Sequence, residues 1–355
     1  MPAKSTLTHE QVDIFLQDGV LVVPGIIDSQ QVDDAIHGLH TTLHQHGVDP
    51  SDLAGTGHNL RKLSSTNGSG GVLDLFYSGW KMDVALNEKL WHATTELWEA
   101  AYCHNGESAD DLREEEKHKW QPHGNFCCST GYAYIDRIGY RIPTTLAEDL
   151  GKRFPYQDEV SEQGEKAHRR HRARPIQRSL TPHLDCCPDT FFSSDKKSKW
   201  RPIQCMVSLT DNLEKNTGGF EAVPGFHKTF HKWAKNRPPT VLTKKIDGKM
   251  QEVARLPAPC IGEYTHIRPG EDHMIMKEIK HIPLCAGDAV FWDVRIPHAN
   301  SYRHNGKKPR AVVYCSFLPD VEINRAYVRR QLEDLNLRRK PRDQWIEISD
   351  GGAAG

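Results

Sequence analysis

The apolar positions of this chain keep a helical period through the first third and a strand period through most of the remainder. Thr8 stands where a helix N-cap is expected, and Val12, Phe15 and Leu16 give an apolar face that Gly19 ends. Val20-Leu21-Val22-Val23-Pro24-Gly25 reads as a short buried strand closed by Pro-Gly. Asp28 or Ser29 opens a second helix, with Val32, Ile36 and Leu39 on its buried face, reaching about Gln45. Residues 47–71 are rich in Gly, Ser, Asn and Asp and predict a long surface loop. Leu86, Leu90, Ala93, Leu97 and Ala101 predict one packing helix from Val84 to Ala101. The charged run 108–119 reads as a solvated connection.

From about Thr130 strands take over. Residues 131–142 alternate imperfectly and predict one long strand or a hairpin. Residues 147–179 show no apolar period and hold the one strongly basic run, His168-Arg169-Arg170-His171-Arg172-Ala173-Arg174. That run reads either as a solvated loop or as a lip gripping phosphates or carboxylates. Strands are expected over 202–209, 220–223, 279–284, 289–292 and 311–317, with turns at 211–219 and 286–288. The polar insertion 237–272 has room for short strands, and 320–337 predicts a closing helix. Many short strands after a helical third predict an α+β fold with an all-β core. The expected division is one domain over 1–339: a mostly helical part to 129, the core over 130–318 and the closing helix over 319–339. A frayed tail, 340–355, completes the chain.

The chain has 355 residues, 37% hydrophobic and 26% charged, with no apolar run long enough to span a membrane. A net charge of -1 draws neither nucleic acid nor anionic membrane in bulk, so any such attraction must come from a local patch. The basic run keeps nucleic acid open; a small molecule or conjugated metabolite is the leading partner, and the sequence is silent on oligomeric state. There are 9 Cys and no Cys-x-x-Cys, which argues against a zinc ribbon or thioredoxin-type site. Cys186, Cys187 and Cys205 are expected as packed thiols. Neither end shows a signal peptide, a peroxisomal signal or a retention signal, so an intracellular location, cytoplasmic or nuclear, is the expectation.

The run Thr181-Pro182-His183-Leu184-Asp185-Cys186-Cys187-Pro188-Asp189 sets a histidine and a carboxylate two residues apart in an otherwise apolar stretch. On a strand side chains alternate, so His183 and Asp185 share a face. A neutral imidazole and a carboxylate on one face are two thirds of a 2-His-1-carboxylate iron site. With 20 His in the chain, roughly one His-x-Asp arises by chance, so the pair gains weight from its company. After the turn at Gly287-Asp288 a buried strand delivers His298 at its far end. Twelve residues later Arg310 opens the strand Ala311-Val312-Val313-Tyr314. A buried arginine at a strand start needs a carboxylate partner, and a dicarboxylate cosubstrate supplies one in a bidentate pair.

These segments, in this order, resemble the phytanoyl-CoA dioxygenase-like family of Fe(II)/2-oxoglutarate-dependent oxygenases. The opening from Leu7 to Gly25 is similar to the family's start, and His183-x-Asp185 to its iron motif. Asn216-Thr217-Gly218-Gly219-Phe220 through Pro224-Gly225-Phe226-His227-Lys228 is similar to its Asn-Gly and Pro-Gly-Ser-His segments, with Phe226 in place of the usual Ser. Gly287-Asp288 through His298 to Arg310 matches its second half-site. The resemblance implies a double-stranded β-helix, a cupin-like jelly roll whose mouth holds the metal, with N-terminal helices packed on it. It implies Fe(II) on His183, Asp185 and His298, and Arg310 on the distal carboxylate of 2-oxoglutarate. Asn300, Gln204 and Tyr134 are expected to line the cosubstrate. O2 is then the oxidant and hydroxylation of a C–H bond the reaction, with release of succinate and CO2. The family's halogenases lack the iron-binding carboxylate, so Asp185 favours hydroxylation. Asp189, Arg170, Arg172 and Arg174 are the expected substrate contacts. A cupin-like metal isomerase or epimerase, or a non-catalytic metal-binding protein on the same fold, is the alternative.

Overall fold

The computed structural model describes residues 5–102, 116–155, 174–188, 191, 199–236, 240–246, 248–256 and 263–342. Thr8 caps α1 (His9–Asp18) with a reciprocal pair of bonds: its side chain accepts from the Gln11 amide and the Gln11 side chain accepts from the Thr8 amide. Gly19 ends the helix at φ 65, and β1 (Val20–Val23) comes directly after it. Asp28 caps α2 (Ser29–Gln45) in the same way. The expected loop over 47–71 is instead partly helical. It holds α3 (Leu53–Thr56) and a 3-10 turn over Gly57–Leu63, which bury Leu53, Leu60 and Leu63. Three apolar anchors were too sparse among Gly, Ser and Asn to read as a helix. β2 (Val72–Leu73) comes next. The single helix expected from Val84 is two, α4 (Gly79–Ala85) and α5 (Glu88–Ala101). The break lies where Asn87 turns its side chain to accept from the Lys89 amide and Leu86 is left 49% exposed.

The stretch 131–142 is neither one strand nor a hairpin. β3 (Gly131–Ala133) and β4 (Ile138–Arg141) do not pair with each other. α6 (Thr144–Arg153) then occupies a segment expected to lack periodicity, burying Ala147 and Leu150. The remaining order is β5 (Leu180–Leu184), β6 (Ile203–Ser208), β7 (Phe220–Ala222), α7 (Phe226–Asn236), β8 (Thr240–Ile246), β9 (Lys249–Leu256) and β10 (Thr265–His266). After these come α8 (His273–Glu278), β11 (Lys280–His281), β12 (Ala289–Asp293), β13 (His298–Asn300), β14 (Arg310–Pro319) and α9 (Glu322–Asn336). Most of the 108–119 run and of the tail lies outside the described residues.

Two antiparallel sheets form the centre. The larger runs β1-β12-β6-β14-β4-β2, with β3 paired to the far end of β14. The smaller runs β10-β5-β13-β7-β11, and β8 pairs β9 apart from both. The helical N-terminal third thus gives β1 and β2 to the larger sheet. Cys205, Val207, Phe291, Val313 and Cys315 point from that sheet into a core shared with α1, α2 and α5. Their neighbours Met206, Val290, Trp292 and Val312 point the other way, onto Leu184, Phe220 and Ala222 of the smaller sheet. The fold is therefore mixed, a helical layer on one sheet and a second sheet on its other face. No helix among the described residues is long and apolar enough to cross a membrane. Cys186 and Cys205 are buried thiols as expected, but Cys187 is disulfide-bonded.

His227, at the start of α7, is buried against the carboxyl end of α1, with Nε2 3.3 Å from the Leu16 carbonyl. Burial pushes it down to about 4; Asp293 pulls against the shift, while Arg295 and His118 add to it. Burial and then Arg141 bring His304 to about 4 as well. Both rings stay neutral in the folded protein where an unfolded chain takes up protons, so acid favours unfolding. Stability is expected to be full above about pH 6.5 and to fall as pH drops towards 4. Urea midpoints at pH 7 and pH 5 check this: the drop should shrink in His227→Gln, and an equal drop would show that His227 does not carry it.

Candidate metal centre

The site begins with a cross-strand pair. β5 and β13 run antiparallel, and their register sets His183 opposite His298. A bulge lies next to this pair, because Asn300 faces Leu180 rather than Thr181. Asp185 lies two residues beyond His183, just past the end of β5, on the same face. One ligand atom from each of His183, Asp185 and His298 lies within 4.8 Å of the others.

Each imidazole has its outer nitrogen occupied. Nδ1 of His183 is 2.8 Å from the Thr181 carbonyl and Nδ1 of His298 is 2.9 Å from the Ile296 carbonyl. A carbonyl only accepts, so both Nδ1 atoms carry a proton, and in the neutral form of each ring the lone pair sits on Nε2. Those lone pairs face Asp185, at 3.5 Å from Oδ1 and 3.9 Å from Oδ2. Burial opposes the charge on Asp185, but His183, His298, Arg201 and the Gln204 amide outweigh it, and the carboxyl sits at about 2. Burial and the neighbouring His183 push His298 down to about 4. At neutral pH the set is therefore an imidazole with a lone pair free beside a carboxylate, which is the form a metal takes up.

The approach to His298 is braced from behind. Asp293 closes β12 and Arg295 sits in the crossing to β13, both buried. Arg295 reaches the two Asp293 oxygens at 2.7 and 2.6 Å, and Tyr102 donates to Asp293 Oδ2 at 2.5 Å. A buried pair of this geometry is costly to break, so the short passage from Asp293 to His298 has little freedom.

A cavity of about 570 Å³ opens over the three residues, the size of an ordinary small-molecule site. Gln204, Tyr134 and Asn300, expected from the sequence, line it. Gln204 donates to Asp185 Oδ2 at 3.0 Å. Arg201, which sequence reasoning missed, bridges Asp136 at 3.0 Å and Asp185 at 3.6 Å and lies 4.5 Å over the Tyr134 ring. Tyr264, also missed, stacks on His183 with centroids 4.6 Å apart. Neither had a local signal: Arg201 precedes an apolar run and Tyr264 lies in a polar insertion.

Arg310 is buried below the cavity, on the face of β14 that carries Val312 and Tyr314. It does not line the open space. It donates to Asn300 Oδ1 at 3.0 Å and points Nη2 at the Met206 sulfur, 3.3 Å away. No carboxylate among the described residues pairs with it, and burial pushes its guanidinium below the ordinary value, with Tyr314 pulling the other way. Arg141, its cross-strand neighbour, spends its donors on the carbonyls of Ser301 and Tyr302. Of the expected substrate contacts, Arg170, Arg172 and Asp189 lie outside the described residues. Arg174 is exposed and packs its carbonyl near Gly151 of α6, away from the cavity lining.

The family model described as Gig2-like matches residues 179–352, just under half of the chain, a span that holds all three centre residues and Arg310. No match was found among curated proteins. The fold is similar to that of GlcNAc Inducible Gene 2, GIG2, from Candida albicans, with a TM-score of 0.62 and 14% identity over 95% of this chain and 69% of that one. It is also similar to the Escherichia coli protein JW0805, with a TM-score of 0.59 and 15% identity over 96% of this chain and 77% of that one. A looser likeness, TM-score 0.45 at 14% identity over 87% of this chain and 82% of that one, is to the epimerase SnoN in complex with Fe3+ and alpha ketoglutarate. Identities this low speak to the fold alone.

Groups that orient metal ligands are typically worth roughly 10- to 100-fold in metal affinity. Gln204→Leu is therefore expected to weaken Co(II) binding by about 10-fold or more while leaving the thermal midpoint near wild type. Unchanged Co(II) affinity by absorption titration would remove Gln204 from the centre.

Proposed function

We propose that the chain is an Fe(II)/2-oxoglutarate-dependent dioxygenase that hydroxylates a C–H bond of an anionic substrate. One observation carries the reading: two imidazoles, locked by backbone carbonyls into one tautomer, present Nε2 to a single carboxylate at the floor of a cavity. This donor set, two neutral nitrogens and one oxygen with the remaining side left to the cavity, fits iron(II). When bound, the iron would supply O2 activation coupled to decarboxylation of 2-oxoglutarate to succinate.

The rest falls to the chain's own residues. His183, Asp185 and His298 would hold the metal, with Gln204 and Arg201 fixing the carboxylate between them. Trp292 and Phe220 pack at 5.2 and 5.9 Å against the His298 ring and keep water from that side. Arg310 would bind the distal carboxylate of 2-oxoglutarate. A thioether is a weak acceptor, so exchanging the Met206 sulfur for a carboxylate is favourable, and Asn300 holds the guanidinium in plane. Asn300 and Tyr134 would border the cosubstrate and substrate from the cavity wall. The metal isomerase alternative leaves a buried, carboxylate-free arginine beneath the site without a purpose. The resemblance to the phytanoyl-CoA dioxygenase-like enzymes supports the same reading, as an oxygenase rather than as a CoA-specific one.

The test is anaerobic titration of the Fe(II)-loaded chain with 2-oxoglutarate, monitored by the visible charge-transfer band. The band is expected in wild type and absent in His183→Ala. Arg310→Leu should keep iron and lose cosubstrate affinity by roughly 10- to 100-fold, the worth of a buried charge-assisted pair. Iron binding with no band at saturating 2-oxoglutarate would sink the proposal.

A further inference from the structure

The mouth of the cavity carries more positive charge than the metal centre uses. Arg137, Arg178, Lys199, Arg201 and Lys340 line the cavity, against Asp136, Asp185 and Glu263. Four of these cations are committed. Lys199 meets Glu263 at 3.0 Å and Arg201 meets Asp136 at 3.0 Å. Arg137 and Lys340 share Asp74, at 2.9 and 3.3 Å. Arg178 is not committed. Its Nε donates to the Ser69 hydroxyl at 2.9 Å, and no carboxylate among the described residues pairs with it. That bond steadies the side chain and leaves the two terminal nitrogens, the edge that grips an oxyanion in a bidentate pair.

The ground under Arg178 is firm. Its amide donates to the Gly68 carbonyl at 3.0 Å and its carbonyl accepts from the Gly70 amide at 2.8 Å. Gly70 has φ +65, and a Cβ there would come within 2.8 Å of Asn300 Nδ2, so glycine alone lets the loop pass this close to the centre. Ser69 of the same loop lines the cavity, and because its oxygen accepts from Arg178 its hydroxyl proton remains to donate; Ser65 and Thr66, also in the lining, already donate to Asp74 and to the Ser69 carbonyl. Arg178 is near enough to Tyr264 for its charge to act on the phenol, and the Tyr264 ring stacks on His183. The uncommitted guanidinium and the metal centre are thus bordered by one tyrosine within one cavity.

We infer that Arg178 and the Ser69 hydroxyl form a subsite for an oxyanion substituent, a phosphoryl or carboxylate group, of the substrate. The subsite holds that group at the mouth while the rest of the molecule reaches inward to the metal centre. Assigning the group to the substrate rests on the dioxygenase reading; the binding of the anion does not.

The experiment uses the full chain without metal or 2-oxoglutarate, titrated calorimetrically with inorganic phosphate and separately with acetate. Saturable binding of at least one is expected, weakened roughly 10- to 100-fold in Arg178→Gln. Arg178→Lys should recover part of it, and Ser69→Ala should weaken it less. A preference for phosphate assigns a phosphoryl group and a preference for acetate a carboxylate. Binding of neither anion, or equal affinity in wild type and Arg178→Gln, overturns the subsite. The readout needs neither iron nor turnover, so the subsite and the dioxygenase reading stand or fall separately.

Discussion

The candidate metal centre depends on one strand register, His183 of β5 against His298 of β13. Side chains alternate along a strand, so a slip of one residue would turn a ligand away from the cavity. The structure guards the register from both sides. Behind β13, the Asp293–Arg295–Tyr102 cluster fixes where the chain leaves the larger sheet. In front, the bulge between Asn300 and Leu180 lets Leu180 and His183, three residues apart, both face the cavity. Burial of an ion pair is poor economy for stability alone; here it places the strand that carries a ligand.

The larger sheet explains why so much of the chemistry looks apolar when read as sequence. Every residue of β6 and β12 is buried, because helices cover one face and the smaller sheet the other. The difference between the faces is therefore one of chemistry rather than exposure. Gln204, Met206 and Ser208 alternate with Cys205 and Val207, and only the first set turns towards the smaller sheet. On β14 the same alternation puts Arg310, Val312, Tyr314 and Ser316 in one row. The polar members of that row, scattered in the sequence, gather near the cavity.

What could be read in advance was what has a local signature. The caps at Thr8 and Asp28, the stop at Gly19, the strands β1, β6, β12 and β14 of the larger sheet and the closing helix all sit where short-range patterning puts them. So does the shared face of His183 and Asp185. His298 and Arg310 required the order of several segments rather than any one. The helices at 53–63 and 144–153 escaped because a few buried anchors hold them among polar neighbours. Arg201, Tyr264 and Arg178 escaped for another reason. Each has its role through a partner far along the chain, Asp136, His183 or Ser69, and no window of sequence contains both.

β1 lies at the edge of the larger sheet, paired with β12, and Gly25 just beyond it donates to Asp288, 263 positions away. Contacts of that span bring a heavy loop-closure cost and slow folding. As the chain leaves the ribosome, this strand must wait, edge unpaired, until β12 has been made. The last histidine of the candidate centre arrives in the same late stretch, so closure of the sheet and assembly of the three-residue cluster are completed together. A truncated or half-made chain would then present an unpaired strand edge before the His183–Asp185–His298 cluster had assembled, and so would be prone to self-association.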